Sequence, residues 1–203
     1  MIYLIITTSI NNKHGVINDT HRKKTYIQAI TTTLNHIKDI NIKPIIVENN
    51  GFRSTYLDNL GCDILYTNNN DLQTPHKGVN ELQDIKDVID KYNIQDDDMI
   101  IKLTGRYTPL KDTFFKNVIN SKYDALLKFF HATANIFKYY DCVLGFFAIK
   151  CKYMKQFKYE CKTSPEVEFA TFVRNTIDKN KIEEIMYLDL QCCFADNLRV
   201  LNL

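Results

Sequence analysis

Short runs of β-branched and aromatic residues alternate along this chain with longer stretches whose apolar positions recur every three or four residues. Residues 2–7 (IYLIIT), 43–51 (KPIIVENNG), 62–70 (CDILYTNNN) and 98–107 (DMIIKLTGRY) are continuous apolar runs closed by polar residues. Strands buried on both faces read this way. Between the first two, Tyr26, Ile27, Ile30, Leu34 and Ile37 fall at helical spacing over about residues 20–40. Val79, Leu82, Ile85, Val88 and Ile89 do the same over about 78–92, and residues 54–60 form a short helix. The first half therefore reads β-α-β-α-β-α-β, which predicts a parallel sheet covered on both faces with right-handed crossovers.

The second half is less regular. Residues 112–121 and 164–180 read as helices, 123–130 and 143–150 as strands, and 152–157 as the start of another helix. Residues 181–190 and 197–203 close the chain. No linker, repeat or low-complexity segment interrupts it, so a single α/β domain over 1–203 is the natural reading.

Composition narrows the class. The 203 residues are 45% hydrophobic with a net charge of +2, enough for one substantial core. Lysines are scattered among Asp and Glu rather than gathered on one face, which argues against a nucleic-acid binder. The six cysteines form no CxxC pair, which excludes a zinc framework and points to buried thiols in a reducing compartment, the cytoplasm. The amino-terminal apolar run is too short for a signal peptide or a membrane span.

In an open α/β sheet, ligands bind outside the carboxyl ends of the strands. The four strand tips carry Thr7, Thr8 and Ser9; Glu48, Asn49, Asn50 and Gly51; Thr67 and Asn68–Asn70; and Thr104, Gly105, Arg106 and Tyr107. Loops are polar anyway, since Asn, Gly and Thr favour turns, but four such tips would together line a hydrogen-bonding pocket. Gly105 would let the backbone approach a ligand, and Arg106 offers a planar fork of donors for phosphate oxygens. Tyr107 would stack on a ring or enter the core. Lys102 would either reach the cleft or snorkel beneath a helix. Lys77 and Gly78 open a helix, where free N–H groups favour an anion. The Asp96–Asp98 run precedes the fourth strand, at its far end from Arg106, and reads as a solvated turn rather than a metal site.

Ser164 and Pro165 are helix-start signals. Glu166 and Glu168 behind them suit the helix dipole, and either could serve as a general base, Glu168 being preferred for its apolar flanks Val167 and Phe169. His131 follows a strand and could reach an acceptor; Asp141 is similarly placed before the 143–150 run.

The segments IITTS, PIIVENNG, ILYTNNN with KGVNELQDI, and above all IIKLTGRY resemble small GT-A-type glycosyltransferases. The resemblance is to the glycosyltransferase-like proteins of large DNA viruses and bacterial polysaccharide clusters. It covers roughly residues 1–110, with 111–203 matching an acceptor-side half more loosely. It implies a Rossmann-like, mostly parallel mixed sheet with helices on both faces. It also implies transfer of a sugar from a nucleotide-sugar donor, UDP-linked by preference, to a hydroxyl of a glycan or other acceptor. Thr7, Thr8, Glu48 and Asn49 would lie near the nucleoside; Lys77, Thr104, Gly105 and Arg106 would lie near the diphosphate or sugar. Many such enzymes use an Asp-x-Asp motif with manganese or magnesium. No strand tip here supplies that motif, so a divalent cation stays open and no metal ligand is named. Two rivals remain: a non-catalytic nucleotide-sugar or glycan-binding module, and a sugar nucleotidyltransferase, for which TTSINNKHG is a poor phosphate loop. The GxGxxG of a dinucleotide-dependent oxidoreductase is absent.

Overall fold

The computed structural model describes residues 1–11, 19–51, 53–72, 77–131, 136–194 and 199–203. Its first half runs β1 (Ile2–Thr8), α1 (Asp19–Ile37), β2 (Lys43–Glu48), β3 (Asp63–Tyr66), α2 (Lys77–Lys91) and β4 (Met99–Thr104), with a 3-10 turn over Tyr56–Leu60. These are the elements that the apolar periodicity predicts. The 62–70 run is shorter as a strand, because Asn69–Asp71 turn into a second 3-10 element.

The second half begins with β5 (Thr108–Pro109), α3 (Thr113–Asn120) and β6 (Ala125–Leu127). A hairpin follows, β7 (Phe130–His131) with β8 (Ile136–Phe137), then β9 (Phe146–Lys150), α4 (Cys151–Gln156) and α5 (Pro165–Thr176). Three short strands end it: β10 (Ile182–Glu184), β11 (Leu190–Cys193) and β12 (Val200–Asn202).

Among the described residues, the central sheet has seven strands in the order β10-β6-β9-β4-β1-β2-β3. Its pairings are parallel except those of β9, which runs against both β4 and β6. Alternate residues along a strand face opposite sides, and β1 shows it. Tyr3 and Ile5 enter the layer under α2, α4 and α5; Leu4 and Ile6 enter the layer under α1 and α3. The mixed, mostly parallel α/β sheet with helices on both faces is thus the architecture of the chain.

Two features of this topology place the candidate site. The chain steps outward from β1 to β3, then returns so that β4 lies on the other side of β1, which opens a crevice beyond the carboxyl ends of β1 and β4. The reversal of β9 brings the segment before it to the same rim, where the Gly145 carbonyl accepts from Thr104 N at 2.8 Å. Of the six cysteines, all free, Cys142, Cys151, Cys192 and Cys193 are buried while Cys161 is exposed. No helix among the described residues is long and apolar enough to cross a membrane.

Candidate functional site

β1, β2 and β4 end level with one another: Thr7 lies opposite Val47 on one side and Thr104 on the other. Beyond them is a cleft lined by residues from each tip, with Thr7, Thr8 and Ser9 meeting Asn49 and Arg106. The sequence-derived residues Thr8, Asn49 and Arg106 therefore share one mouth. Arg22 and Tyr26 of α1, Asn80 and Glu81 of α2, and Asn70 beyond β3 complete it.

Gly105 has a steric reason to be glycine. A Cβ there would stand 2.8 Å from Thr8 Cγ2 and 3.0 Å from both the Thr7 carbonyl oxygen and Tyr26 Cε1. The chain needs that clearance to turn beneath β1, where Gly105 N donates to Thr7 O at 2.8 Å. The turn delivers Arg106 to the cleft floor. Its NH1 donates to the carbonyl of Cys193, so β11, which pairs with β5 just past this turn, supports the guanidinium from behind. Burial works against the Arg106 charge, but Tyr26, Tyr107 and Glu81 around it outweigh that cost and keep it protonated. Arg22 is held alongside, its Nε on the Ser9 carbonyl at 2.8 Å. Two guanidinium groups thus border the cleft against one carboxylate, Glu81.

Lys102 neither snorkels nor stands free. Its ammonium is buried and ends on Glu81 Oε2 at 2.5 Å, with Thr104 Oγ1 as a second partner. Thr7 and Thr104 hydroxyls also donate to that oxygen, at 3.2 and 3.1 Å. Burial pushes the Glu81 carboxyl up, yet the Lys102 ammonium prevails and holds it below its ordinary value.

Glu48 departs from the expectation of a nucleoside contact. Its buried carboxylate turns inward and accepts from Thr8 Oγ1 at 2.7 Å, from the backbone of Ile10 and Asn50, and from Asn50 Nδ2. It fastens the β1 and β2 tips to each other and is absent from the cleft lining. Burial raises its affinity for a proton, against the pull of those donors. Asp84, on α2, does the same for the next pair of tips. It accepts from Asn49 Nδ2 at 2.8 Å, Thr67 Oγ1 at 3.0 Å and Asn69 Nδ2 at 2.8 Å, and burial pushes its carboxyl up to about 7. Asn49 Oδ1 is left buried without a partner, at the cleft wall.

The cleft continues past Arg106. A second compartment shares Glu81 and Arg106 with the first and adds Lys102, Tyr107, Gly145 and Glu166. A third shares Tyr107, Gly145 and Glu166 with the second and reaches His131, Asp141, Cys142 and Phe194. Sharing these walls, the three compartments follow one another from the sheet tips toward His131 and Phe194 as a segmented trough. The ring edge of Tyr107 packs against Gly145, where a Cβ would fall 2.1 Å from its Cε2, and the ring meets Phe194 edge-on at 6.5 Å.

Glu166 and Glu168 part company. Ser164 caps α5 through Val167 N at 3.3 Å, with Pro165 in the first turn, as the sequence signals. Glu166 then faces the trough. Glu168, the preferred base on sequence grounds, points the other way and accepts from the backbone N–H groups of Glu160, Lys162 and Thr163. Burial alone would raise its pKa, but those three donors together outweigh it and hold the carboxyl low, as a loop clamp requires. Lys77 opens α2, and its side chain lies outside the described residues. The Asp96–Asp98 run behaves as a turn: Asp98 binds the amino terminus at 2.5 Å and Asp96 pairs with Lys155 at 2.6 Å.

Three carboxylates near the strand tips are already engaged. Glu81 is tied to Lys102, while Glu48 and Asp84 are surrounded by hydrogen-bond donors rather than open to the cleft. Among the described residues, no group of three His, Cys, Asp or Glu side chains converges as a ligand set. What periodicity alone missed is Arg22, Tyr26, Glu81 and Asp84. A signal for Asp84 was present: Asn80, Asp84 and Val88 fall in one i, i+4 row, so a carboxylate shares a helix face with a core valine.

No protein-family model and no curated sequence matches this chain. Solved structures do resemble it in fold. A candidate nucleotide-diphospho-sugar transferase from Desulfovibrio desulfuricans G20 superposes with a TM-score of 0.56 at 8% identity, covering 91% of this chain and 79% of that one. A protein from Aquifex aeolicus VF5, Aq1419, superposes at 0.54 and 10% identity, covering 91% and 84%. At these identities the likeness concerns the fold: this chain has the α/β architecture found in a nucleotide-diphospho-sugar-transferase-like protein.

Proposed function

We propose that this protein is a glycosyltransferase that takes a sugar from a nucleotide donor, UDP-linked by preference, and passes it to a hydroxyl acceptor. The observation that carries this reading is the single cleft shared by Thr8, Asn49 and Arg106 at the switch point of the sheet. The diphosphate lies over Arg106 and Arg22. Fixed guanidinium groups there stabilise the charge that develops on the leaving nucleoside diphosphate, the task a metal performs in related chemistry. The nucleoside extends toward Thr8 and Asn49. The transferred sugar occupies the compartment between Arg106 and Glu166, and the acceptor enters from the far end of the trough.

Displacement of Glu168 from the trough favours one rival, a non-catalytic nucleotide-sugar-binding module, because it removes a candidate base. Calorimetric titration with UDP, GDP and dTDP, with and without manganese and EDTA, tests the shared reading. The expected outcome is micromolar binding that changes less than about twofold on chelation. Absence of binding to all three diphosphates would refute it. Slow release of UDP from a UDP-sugar separates an enzyme from a binding module.

A further inference from the structure

The stretch from β6 to β7 carries a lysine where the pattern calls for an apolar residue. Leu126 and Phe130 face the core layer under α1 and α3, while Leu127 and Phe129 face the opposite layer. Alternation therefore turns Lys128 inward with Leu126 and Phe130. The backbone fixes it there: Leu127 O accepts from Ile185 N at 2.8 Å, and Lys128 O accepts from Val143 N at 3.0 Å. Lys128 is 9% exposed. Its ammonium stands 4.6 Å from the centre of the Phe130 ring and 5.9 Å from that of Tyr187. Among the described residues, no carboxylate, carbonyl or hydroxyl accepts from it. A lysine this deep is ordinarily paired, and two aromatic rings offset less of its desolvation than a counter-ion does. Burial accordingly lowers its pKa, against an opposing influence of Cys192.

The ammonium opens into a groove that shares no lining residue with the trough. Phe130, Phe137, Ile185, Met186 and Tyr187 form its walls, and Lys128 is the one charged residue among those described along it. Met186 is 70% exposed and Tyr187 82%. A contiguous apolar face left open to water marks a contact site, and here it surrounds a cation that lacks a counter-ion.

We infer that this groove binds a single-chain amphiphile with a carboxylate head, a fatty acid anion, whose head pairs with Lys128 and whose tail covers Phe137, Met186 and Tyr187. The inference does not rest on the donor-site reading. Charge complementarity selects the head: one ammonium matches one negative charge, and a charge-assisted hydrogen bond is stronger in a part-buried site than in water. A phosphate dianion would lack a second cation here. A membrane surface would call for a cluster of basic residues, whereas the groove holds one. Met186, flexible and polarisable, adapts to an aliphatic tail.

The test is calorimetric titration of the full chain with laurate below its micellar concentration. Saturable one-to-one binding is expected, with 1-dodecanol, acetate and dodecyltrimethylammonium each about tenfold weaker or more. Lys128→Met keeps the bulk and removes the charge. It should weaken laurate about 10- to 100-fold, the loss of a hydrogen bond to a charged group, and leave dodecanol unchanged. Met186→Asp, at an exposed position that the fold does not need, should weaken laurate by about tenfold or more. Laurate should raise the melting temperature of the wild type and not that of Lys128→Met. In carbon-13 methyl spectra the Met186 signal should move on titration while those of the buried Met99 and Met154 stay. No saturable binding, equal affinity for laurate and dodecanol, wild-type affinity in Lys128→Met, or a stationary Met186 signal would each overturn the inference. So would a dimer in sedimentation that Met186→Asp dissociates, which would give the groove to a second copy of the chain. Tight binding to phosphatidylglycerol vesicles that Lys128→Met leaves intact would give it to a membrane surface and overturn the inference as well.

Discussion

Glu81 and Asp84 leave α2 less than a turn apart, yet they serve different regions. Asp84 sits beneath the β2 and β3 tips, enclosed by Asn49, Thr67 and Asn69, and has no place in the cleft lining. Glu81 sits beside the β4 tip, paired with Lys102 and open to the trough next to Arg106. The first region uses its buried charge to hold loops in place. The second keeps its charges at the boundary of an open compartment. A polar strand tip is therefore not a binding site by composition alone; what separates the two regions is whether the hydrogen-bonding capacity is already satisfied from within.

Asp84→Ala should break the first region most severely. It orphans two buried donors, Asn49 Nδ2 and Thr67 Oγ1, while Asn69 keeps Asp87, and losing hydrogen bonds to a charged group costs about 3 kcal/mol, roughly 6–12 °C in Tm for a chain of this size. Urea denaturation sharpens the point through pH. The folded-state value of about 7 lies above the ordinary 3.8, so between those limits the folded state holds a proton that the unfolded chain releases. Stability relative to Asp84→Asn should therefore fall as pH rises through that window, by up to about 4 kcal/mol, and level off above it.

Arg106→Ala probes the second region. Losing a charged hydrogen-bonding partner should weaken UDP binding about 10- to 100-fold by calorimetry. Because Arg106 is also held by the Cys193 carbonyl, some stability is lost too. Unchanged affinity would place the diphosphate elsewhere. Gly105→Ala tests the junction of the two regions: the clash with Thr8 and Tyr26 should cost about 1–3 kcal/mol in denaturant, and a neutral substitution would show the β4 turn to be looser than described. Glu168→Ala should have the smallest effect, about 1 kcal/mol, with donor turnover intact. That contribution is present above the ordinary Glu range and fades as the pH falls below it, because the clamp holds the carboxyl's pKa low. A large loss of turnover would return Glu168 to the catalytic candidates.

The first half of the fold was legible because its strands are continuous apolar runs with helical spacing between them. Arg106, Thr8 and Asn49 were legible as partners because parallel strands bring their carboxyl ends to one edge. Glu48 was misplaced because nothing in the string VENNG tells whether a tip carboxylate turns inward, and here Asn50 and Ile10 N–H groups draw it in. Glu168 was misjudged because apolar flanks on a helix do not say which face the residue between them takes; the backbone donors of residues 160–163 decide it. The meeting of His131 with Asp141 in the third compartment depends on the reversal of β9, which alternation of apolar and polar residues cannot show.

Tyr107 rests on a residue with no side chain. Because Gly145 leaves no room for a methyl group against the ring edge, the wall between the second and third compartments is set there by backbone alone. Any bulk added at 145 would push Tyr107 out of place, so under the glycosyltransferase proposal this one position becomes a natural dial for the size of sugar admitted.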